Sequence, residues 1–513
     1  MTSTEHPSPE PPSSALVAGL TRLLAQQTGG PVECIETHIS WVLLAGERAY
    51  KLKKPVRLPF ADFSSPEARH HFCEEELRLN RRLAPQLYLS VLAVGGTPSA
   101  PTLGPSDAPL DHLVCMRRFP GGALLGERLA AGQLTAQELT ALARQLAAFH
   151  QRAPVAAADG AHGSVAGQMQ AVRAVLDQLD ALCPGPVPTL LRAHAEAEMA
   201  VLAPVWQARL RQGAVREGHG DLHLGNAVLL DGQATAFDCI EFDPALRWID
   251  VMADVAFLTM DLKAHGRPDL AAQFLDAYLQ ATGDWGGLAV LRFAELYRAL
   301  VRAMVQAREH PAQTSLYLDA ALRLVQEARR PARLMITHGP SGAGKSTWTA
   351  RLLALTGAVR LRSDVERKRL FGLEALQDSR TLGLDIYTPE ATQRTFDTLF
   401  DGAVKALAAG FPVIVDAVFS RRDERQRFRR LAQSLGLPFA LLDCRAEPAE
   451  LRRRVQWRQQ QGGDASEAGL AVLQAQLERA EALGPDEQAG LLVAEAGASD
   501  AGDLARRWLA ISA

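Results

Sequence analysis

No run of 18 or more apolar residues occurs in this chain, so nothing in it reads as a bilayer span. Cysteine is scarce: six, at 34, 73, 115, 183, 239 and 444, with no C-x-x-C pair and no Cys/His cluster at zinc spacing. That excludes a disulfide scaffold or a zinc module, and the expectation is buried, reduced thiols in a cytoplasmic protein. A surplus of one charge is also missing, since 55 basic and 58 acidic residues leave a formal net charge of −3. Nothing global therefore draws the chain to nucleic acid or an anionic membrane, and no basic, aromatic-rich stretch does so locally. The first 14 residues lack both a basic start and an apolar core, so they do not read as a signal peptide. Four prolines among polar residues make 1–14 an expected disordered tail.

What remains is the balance of an ordinary globular protein, 47% apolar and 22% charged. The first ordered element is expected as a helix near Ala15. Residues 32–44 alternate as a strand, 45–47 turn, and 48–54 return. Residues 66–84 have helical apolar spacing, and 88–96 and 111–118 read as strands around a Pro/Gly/Ser-rich loop. From Ala130 to Ala328 the pattern is mostly helical. After Arg329-Arg330-Pro331 the periodicity changes: short apolar runs at 334–337, 359–363, 412–417 and 438–444 alternate with helical segments at 364–371 and 422–435. Strands alternating with helices specify a doubly wound parallel sheet.

Two separate phosphate-handling patterns are present. The first is His219-Gly-Asp-Leu-His-Leu-Gly-Asn226, followed by Phe237-Asp238. An Asp and an Asn five positions apart can divide the work of a kinase-type site. Asp221 would orient the attacking hydroxyl and take its proton, Asn226 would reach a metal ion, and Asp238 would hold Mg²⁺ against the phosphates. Short apolar runs at 228–230 and 234–237 flank the turn Asp231-Gly232. Upstream, Lys51 on the expected third strand is the candidate to neutralise phosphate, with Lys53 on the same strand face as its rival. Glu76 is the candidate helix partner, with Glu75 second. Cys115, Met116 and Arg117 stand where a hinge would touch adenine.

The segment 219–226 resembles the catalytic loop of the aminoglycoside phosphotransferase-like kinases, with Gly220 in place of the protein-kinase arginine. The resemblance spans roughly 30–330. It implies an α+β protein-kinase-like bilobal domain over 15–330, with a small lobe at about 15–118 and a large lobe at about 119–330. It also implies that the helix carrying Asp250 and Asp254 braces the catalytic loop by accepting N–H groups. The sequence departs from the kinase pattern in one place: no G-x-G-x-x-G precedes the lysine strand, and Thr37-His38-Ile39-Ser40 stands there instead.

The second pattern is Gly339-Pro340-Ser341-Gly342-Ala343-Gly344-Lys345-Ser346-Thr347, between an expected strand and an expected helix. The glycines let backbone N–H groups wrap a β-phosphate, Lys345 neutralises β/γ charge, and the Ser346 hydroxyl can ligate Mg²⁺. Asp364 ends the next strand and is the candidate acceptor base; the alternative is a helix N-cap. Asp416 ends the apolar strand 413–416, in the manner of a Walker B acid that holds the metal. Arg454 and Arg458 lie one turn apart on an arginine-rich helix before the mobile loop 459–466, a segment that resembles the lid of small P-loop kinases, which implies that these arginines close over the transferring phosphate. This part resembles the group of small-molecule and polynucleotide 5′-hydroxyl kinases that includes gluconate-type and zeta-toxin kinases. The resemblance implies an α/β P-loop NTPase domain over 331–513. The whole order resembles bacterial fusions of the two kinase types.

The expectation is an ATP- and Mg²⁺-dependent phosphotransferase with two nucleotide sites, acting on hydroxyl groups of small polar molecules. Alternatives are a catalytic half regulated by a nucleotide-sensing half, or a nucleic-acid 5′-hydroxyl kinase in the second half. Neither membrane nor nucleic acid is an expected partner, and the oligomeric state stays open.

Overall fold

A computed structural model describes residues 12–58, 61–160, 162–309, 314–461 and 464–512. Residues 1–11 of the expected tail lie outside these, as do Gly462 and Gly463 of the expected mobile loop. The first helix, Pro12–Thr28, starts earlier than Ala15, because a proline suits a first helical turn, whose N–H groups have no partner anyway.

Two compact units interleave along the chain. One comprises the described residues of Met1–Leu134, Ala148–Ser164 and Gly213–Asp254; the other comprises Thr135–Ala147, Val165–Gln212 and the described residues of Val255–Ala513. The parallel sheet therefore shares its unit with helices encoded upstream of residue 331.

The first unit is built on a six-stranded antiparallel sheet. Its strands run in the order Val32–Glu36, Ser40–Ala45, Arg48–Lys53, Asp111–Arg117, Tyr88–Thr97 and Ala100–Leu103. The single strand expected over 32–44 is two strands of a hairpin. It turns where the Thr37 main-chain N–H donates to Ser40 O at 2.9 Å and the Ser40 N–H donates to Thr37 Oγ1 at 3.0 Å. This hairpin puts Lys51 on the third strand. Helix Pro66–Asn80 is capped by the Ser65 side chain and stops before 84. Asn80 there turns its amide to other work, donating to Glu76 O and accepting from the Cys239 main chain, both at 2.9 Å. The hairpin of Ala227–Leu230 and Gln233–Ala236 turns through Asp231 and Gly232, at φ 48° and 79°. Two successive positive φ values make the tight turn that matches strand twist.

The second unit holds helices Val165–Leu182, Pro186–Arg211, Pro268–Thr282, Leu288–Glu309 and Thr314–Ala328 together with a five-stranded parallel sheet. The sheet order is Val359–Arg362, Val413–Asp416, Leu334–His338, Phe439–Arg445 and Leu491–Glu495. The first strand in sequence lies in the middle and the chain winds out to either side, so a crevice opens at its carboxyl end. The P-loop follows that end. Met335, Trp348, Leu352, Ile414, Leu442, Val455 and Trp508 fill the core, and Ala272 of helix Pro268–Thr282 belongs to the same cluster. No helix among the described residues is long and apolar enough to cross a membrane. All six cysteines are free; contrary to the expectation that all are buried, Cys34 is exposed, on the sheet-edge strand Val32–Glu36, and Cys183 is half-buried.

Candidate active sites

In the first unit, Lys51 and Lys53 lie on one strand face and both reach Glu76. Lys51 Nζ is 2.8 Å from Glu76 Oε1 and 2.7 Å from Asp238 Oδ1. Lys53 Nζ is 2.6 Å from Glu76 Oε2 and also pairs with Glu241. Lys53 and Glu76 are fully enclosed, whereas the Asp238 side chain is 40% exposed. The two lysines thus take different depths: Lys51 faces the partly exposed Asp238, and Lys53 neutralises the enclosed Glu76 and Glu241. Burial works against the Lys51 charge, but Asp238 and Glu76 outweigh it and hold its pKa well above the ordinary value. Burial likewise opposes ionisation of Glu76, and the two lysines overcome it, so its pKa is lowered; Glu241, buried beside it, is pushed up. Glu75 turns away to Arg78, at 2.8 Å. Met116 is buried on strand Asp111–Arg117, opposite Ala49 and Tyr88, in an apolar cluster with Val228 and Leu230.

Asn226 Nδ2 donates to Asp221 O at 2.9 Å and to Asp221 Oδ2 at 3.0 Å, and His223 Nε2 stands 3.5 Å from the same carboxylate oxygen. Asp238 has φ 64°, a conformation rare for a residue with a side chain, and its N–H donates to the Tyr88 hydroxyl at 3.3 Å. The loop 219–226 is held from behind by Asp254, which accepts the main-chain N–H of His219 at 2.7 Å and of Gly220 at 2.8 Å. His150 Nε2 lies 3.1 Å from Asp254 Oδ2. Burial opposes the Asp254 charge, but the contacts with His150 and His219 hold its pKa down at about 2. Asp250 accepts the N–H of Met252 at 2.9 Å, at the start of the helix Val251–Ala264 that follows it. Gly220 has φ 89°, and a Cβ there would stand 2.8 Å from Leu246 O, so the loop's path requires glycine.

In the second unit, Gly339 has φ 126° and a Cβ on it would lie 2.4 Å from Cys444 O, so the P-loop passes against the neighbouring strand. Lys345 Nζ donates to Gly339 O and Pro340 O, both at 2.9 Å. Burial pulls the Lys345 pKa below its ordinary value, and the Arg458 charge adds to this, while Asp416 and Asp364 act in the other direction. Asp416 is buried, and its Oδ2 accepts from the Thr349 hydroxyl at 3.1 Å. Asp364 lies in the first turn of helix Ser363–Leu370, whose N-cap position belongs to Arg362. Its charge acts on Lys345, Arg367 and Tyr387. Arg454 Nη1 donates to Gly342 O at 3.1 Å and its Nε to Glu450 at 2.6 Å, while Arg458 Nη2 donates to Ala468 O at 2.8 Å.

Several residues here were missed from sequence. Glu241 stands three positions after Asp238, and Arg367 three after Asp364, spacings that could have flagged both. His150, Arg360 and Gln476, whose Oε1 accepts the Ser341 N–H at 2.8 Å, carry no local signal. The donor sets suit magnesium. Mg²⁺ takes one or two carboxylates with substrate phosphate rather than an all-protein cage. Asn226 with Asp238, and Ser346 with Asp416, are hard oxygen donors of that kind.

Comparison with known proteins matches residues 45–293 to the phosphotransferase enzyme family and 334–483 to an AAA domain family. Uncharacterised proteins of Mycobacterium bovis and Mycobacterium tuberculosis are 30% identical over 475 residues, covering 89% of this chain and 93% of theirs. This chain belongs to their family. This chain joins an aminoglycoside phosphotransferase-like domain to a P-loop kinase domain, and the fusion is a kinase. Among solved structures, a choline/ethanolamine kinase family protein from Mesorhizobium loti is 13% identical, over 62% of the fusion and 96% of that chain, with a TM-score of 0.38. A sugar kinase from Janibacter sp. is 24% identical, over 35% of the fusion and 96% of that chain, with a TM-score of 0.27.

Proposed function

We propose that each half of the fusion binds Mg·ATP and transfers the γ-phosphoryl group to a hydroxyl of a small polar molecule, so that one chain carries two nucleotide sites. The observation that supports this reading is that each unit has its own buried or half-buried lysine, its own oxygen donors and its own candidate acceptor carboxylate, with no residue shared. In the first site Lys51, Glu76 and Met116 receive the nucleotide, Asn226 and Asp238 hold the metal, and Asp221 acts on the acceptor. In the second, residues 339–347 wrap the phosphates, Ser346 and Asp416 hold the metal, Asp364 acts on the acceptor, and Arg454 and Arg458 balance charge on the transferring group. At each site the acceptor oxygen bonds to the γ-phosphorus as the bridge to the β-phosphate breaks. The hydroxyl proton passes to Asp221 or Asp364, and ADP leaves. Bound magnesium would neutralise phosphate charge.

Small acceptors are favoured over nucleic acid by the near-neutral charge balance. The domain boundary near 330–331 is part of the same proposal. Calorimetry with a non-hydrolysable ATP analogue and Mg²⁺ is expected to find about two sites per chain, with Lys345→Ala removing one. Labelled ATP and a metabolite pool would then identify the acceptors. A stoichiometry near one would favour a single catalytic half, and phosphorylation of oligonucleotide 5′ ends would favour the nucleic-acid reading.

A further inference from the structure

Arg360 is a charged residue within the edge strand Val359–Arg362, yet only 8% exposed, four positions before Asp364. A buried guanidinium requires a partner, because removing it from water costs several kcal/mol. The partner comes from outside the P-loop half. Asp276, on helix Pro268–Thr282 and within the stretch matched to the phosphotransferase family, places Oδ2 2.6 Å from Arg360 Nη2 and Oδ1 3.3 Å from Nε. The other branch of the guanidinium points at the P-loop helix. Nη1 donates to Ser346 O at 3.1 Å and to the Thr349 hydroxyl at 3.2 Å, and Thr349 in turn donates to Asp416 Oδ2 at 3.1 Å. An unbroken line of polar contacts thus joins Asp276 to Ser346 and Asp416, the pair assigned above to magnesium.

The contact is anchored on both sides. Gln280, one turn after Asp276, donates to Arg360 O at 2.5 Å, and Arg369 donates to Gln280 O at 2.5 Å. Trp285 Nε1 donates to Glu366 Oε1 at 3.2 Å. Glu366 and Arg369 belong to the helix that bears Asp364, so residues 276–285 hold both the Arg360 strand and the candidate base helix.

We infer that Asp276 and Arg360 are positioning residues of the P-loop site. Asp276 fixes the guanidinium so that its free branch sets the Ser346 main chain and the Thr349 hydroxyl, and through them the orientation of Asp416. The second active site is then completed by a helix encoded upstream of the P-loop domain. Groups that orient metal ligands from behind change metal affinity by about 10- to 100-fold when removed. This inference rests on Ser346 and Asp416 being the magnesium donors.

The test uses the full chain and calorimetric titration of the ATP analogue at a series of Mg²⁺ concentrations. Lys345→Ala isolates the signal of the first site, and its difference from the unmodified chain gives the P-loop site. Arg360→Lys keeps a cation opposite Asp276 but has one ammonium in place of the fork. It is expected to melt near the unmodified midpoint while the P-loop site needs about tenfold more Mg²⁺ for the same nucleotide affinity. Asp276→Asn is expected to show the same shift, and neither change should alter the first site. If Arg360→Lys leaves the Mg²⁺ dependence of the P-loop site unchanged, the pair is only a brace and the inference fails, whatever Asp276→Asn does. If the unmodified chain shows no Mg²⁺-dependent nucleotide binding that Lys345→Ala removes, the magnesium reading itself fails.

Discussion

Lys51 Nζ lies 2.7 Å from Asp238 Oδ1, so the lysine expected to meet phosphate and the carboxylate expected to meet the metal are in direct contact. That contact separates two roles within the first site. Asp238→Asn removes the negative charge from the pair and one oxygen from the proposed metal donor, and is expected to weaken Mg·ATP binding at that site. Asp221→Asn removes a proton acceptor. It is expected to slow transfer by about 10²–10⁴ while nucleotide affinity stays within a few-fold. Calorimetry in the Lys345→Ala background, with single-turnover transfer, reads both. Small and equal effects would mean that this half does not catalyse.

Asp254 offers a test of the loop brace. It is fully buried and carries His150 and two main-chain N–H groups of the catalytic loop. Asp254→Ala is expected to cost about 3 kcal/mol of stability in denaturant titration, because those donors lose their acceptor. The folded pKa of about 2 lies below the unfolded aspartate value of about 3.9. The stabilisation is therefore fully present above the unfolded value and is lost as pH falls through the folded one. The stability difference between the native chain and Asp254→Asn should narrow from about pH 4 downward. A constant difference across that range would show that the charge is not what matters.

Asp364 is expected to act on the acceptor rather than on the helix. The N-cap position of its helix belongs to Arg362, so replacing the carboxylate removes no cap. Asp364→Asn should keep fold and nucleotide binding at the P-loop site and abolish transfer from it. Retained transfer, measured once the acceptor is known, would remove Asp364 from the reaction.

Lys345 predicts a proton linkage. Burial lowers its pKa in the protein alone, and a bound polyphosphate favours the charged ammonium. Nucleotide binding should therefore take up protons, increasingly so as pH rises through the alkaline range. Titrations in buffers of different ionisation enthalpy at one alkaline pH would show it, and Lys345→Ala should abolish that share. Buffer-independent heats would contradict the assignment.

Much of the fold and of both sites was legible in sequence because the relevant chemistry is local. A P-loop needs glycines at fixed offsets where the backbone takes positive φ or passes close to a neighbour, as Gly339 does against Cys444. The catalytic loop needs Asp221 and Asn226 five apart, because the asparagine amide folds back on the aspartate. The turn at Asp231-Gly232 and the parallel βα alternation follow from the same short-range rules of φ and periodicity. What only the tertiary structure decided involves residues that local rules treat as equivalent or ordinary. Lys51 and Lys53 share a strand face at period two, so alternation cannot rank them; depth does, placing Lys51 at Asp238 and Lys53 between Glu76 and Glu241. Glu75 and Glu76 differ only in the direction each takes from the helix. The helices before residue 331 read as one helical stretch, yet several share a compact unit with the parallel sheet. Arg360 reads as a charge inside a strand until Asp276, 84 positions away, is brought to it, because the pairing of buried charges is set by packing across elements rather than by spacing along the chain.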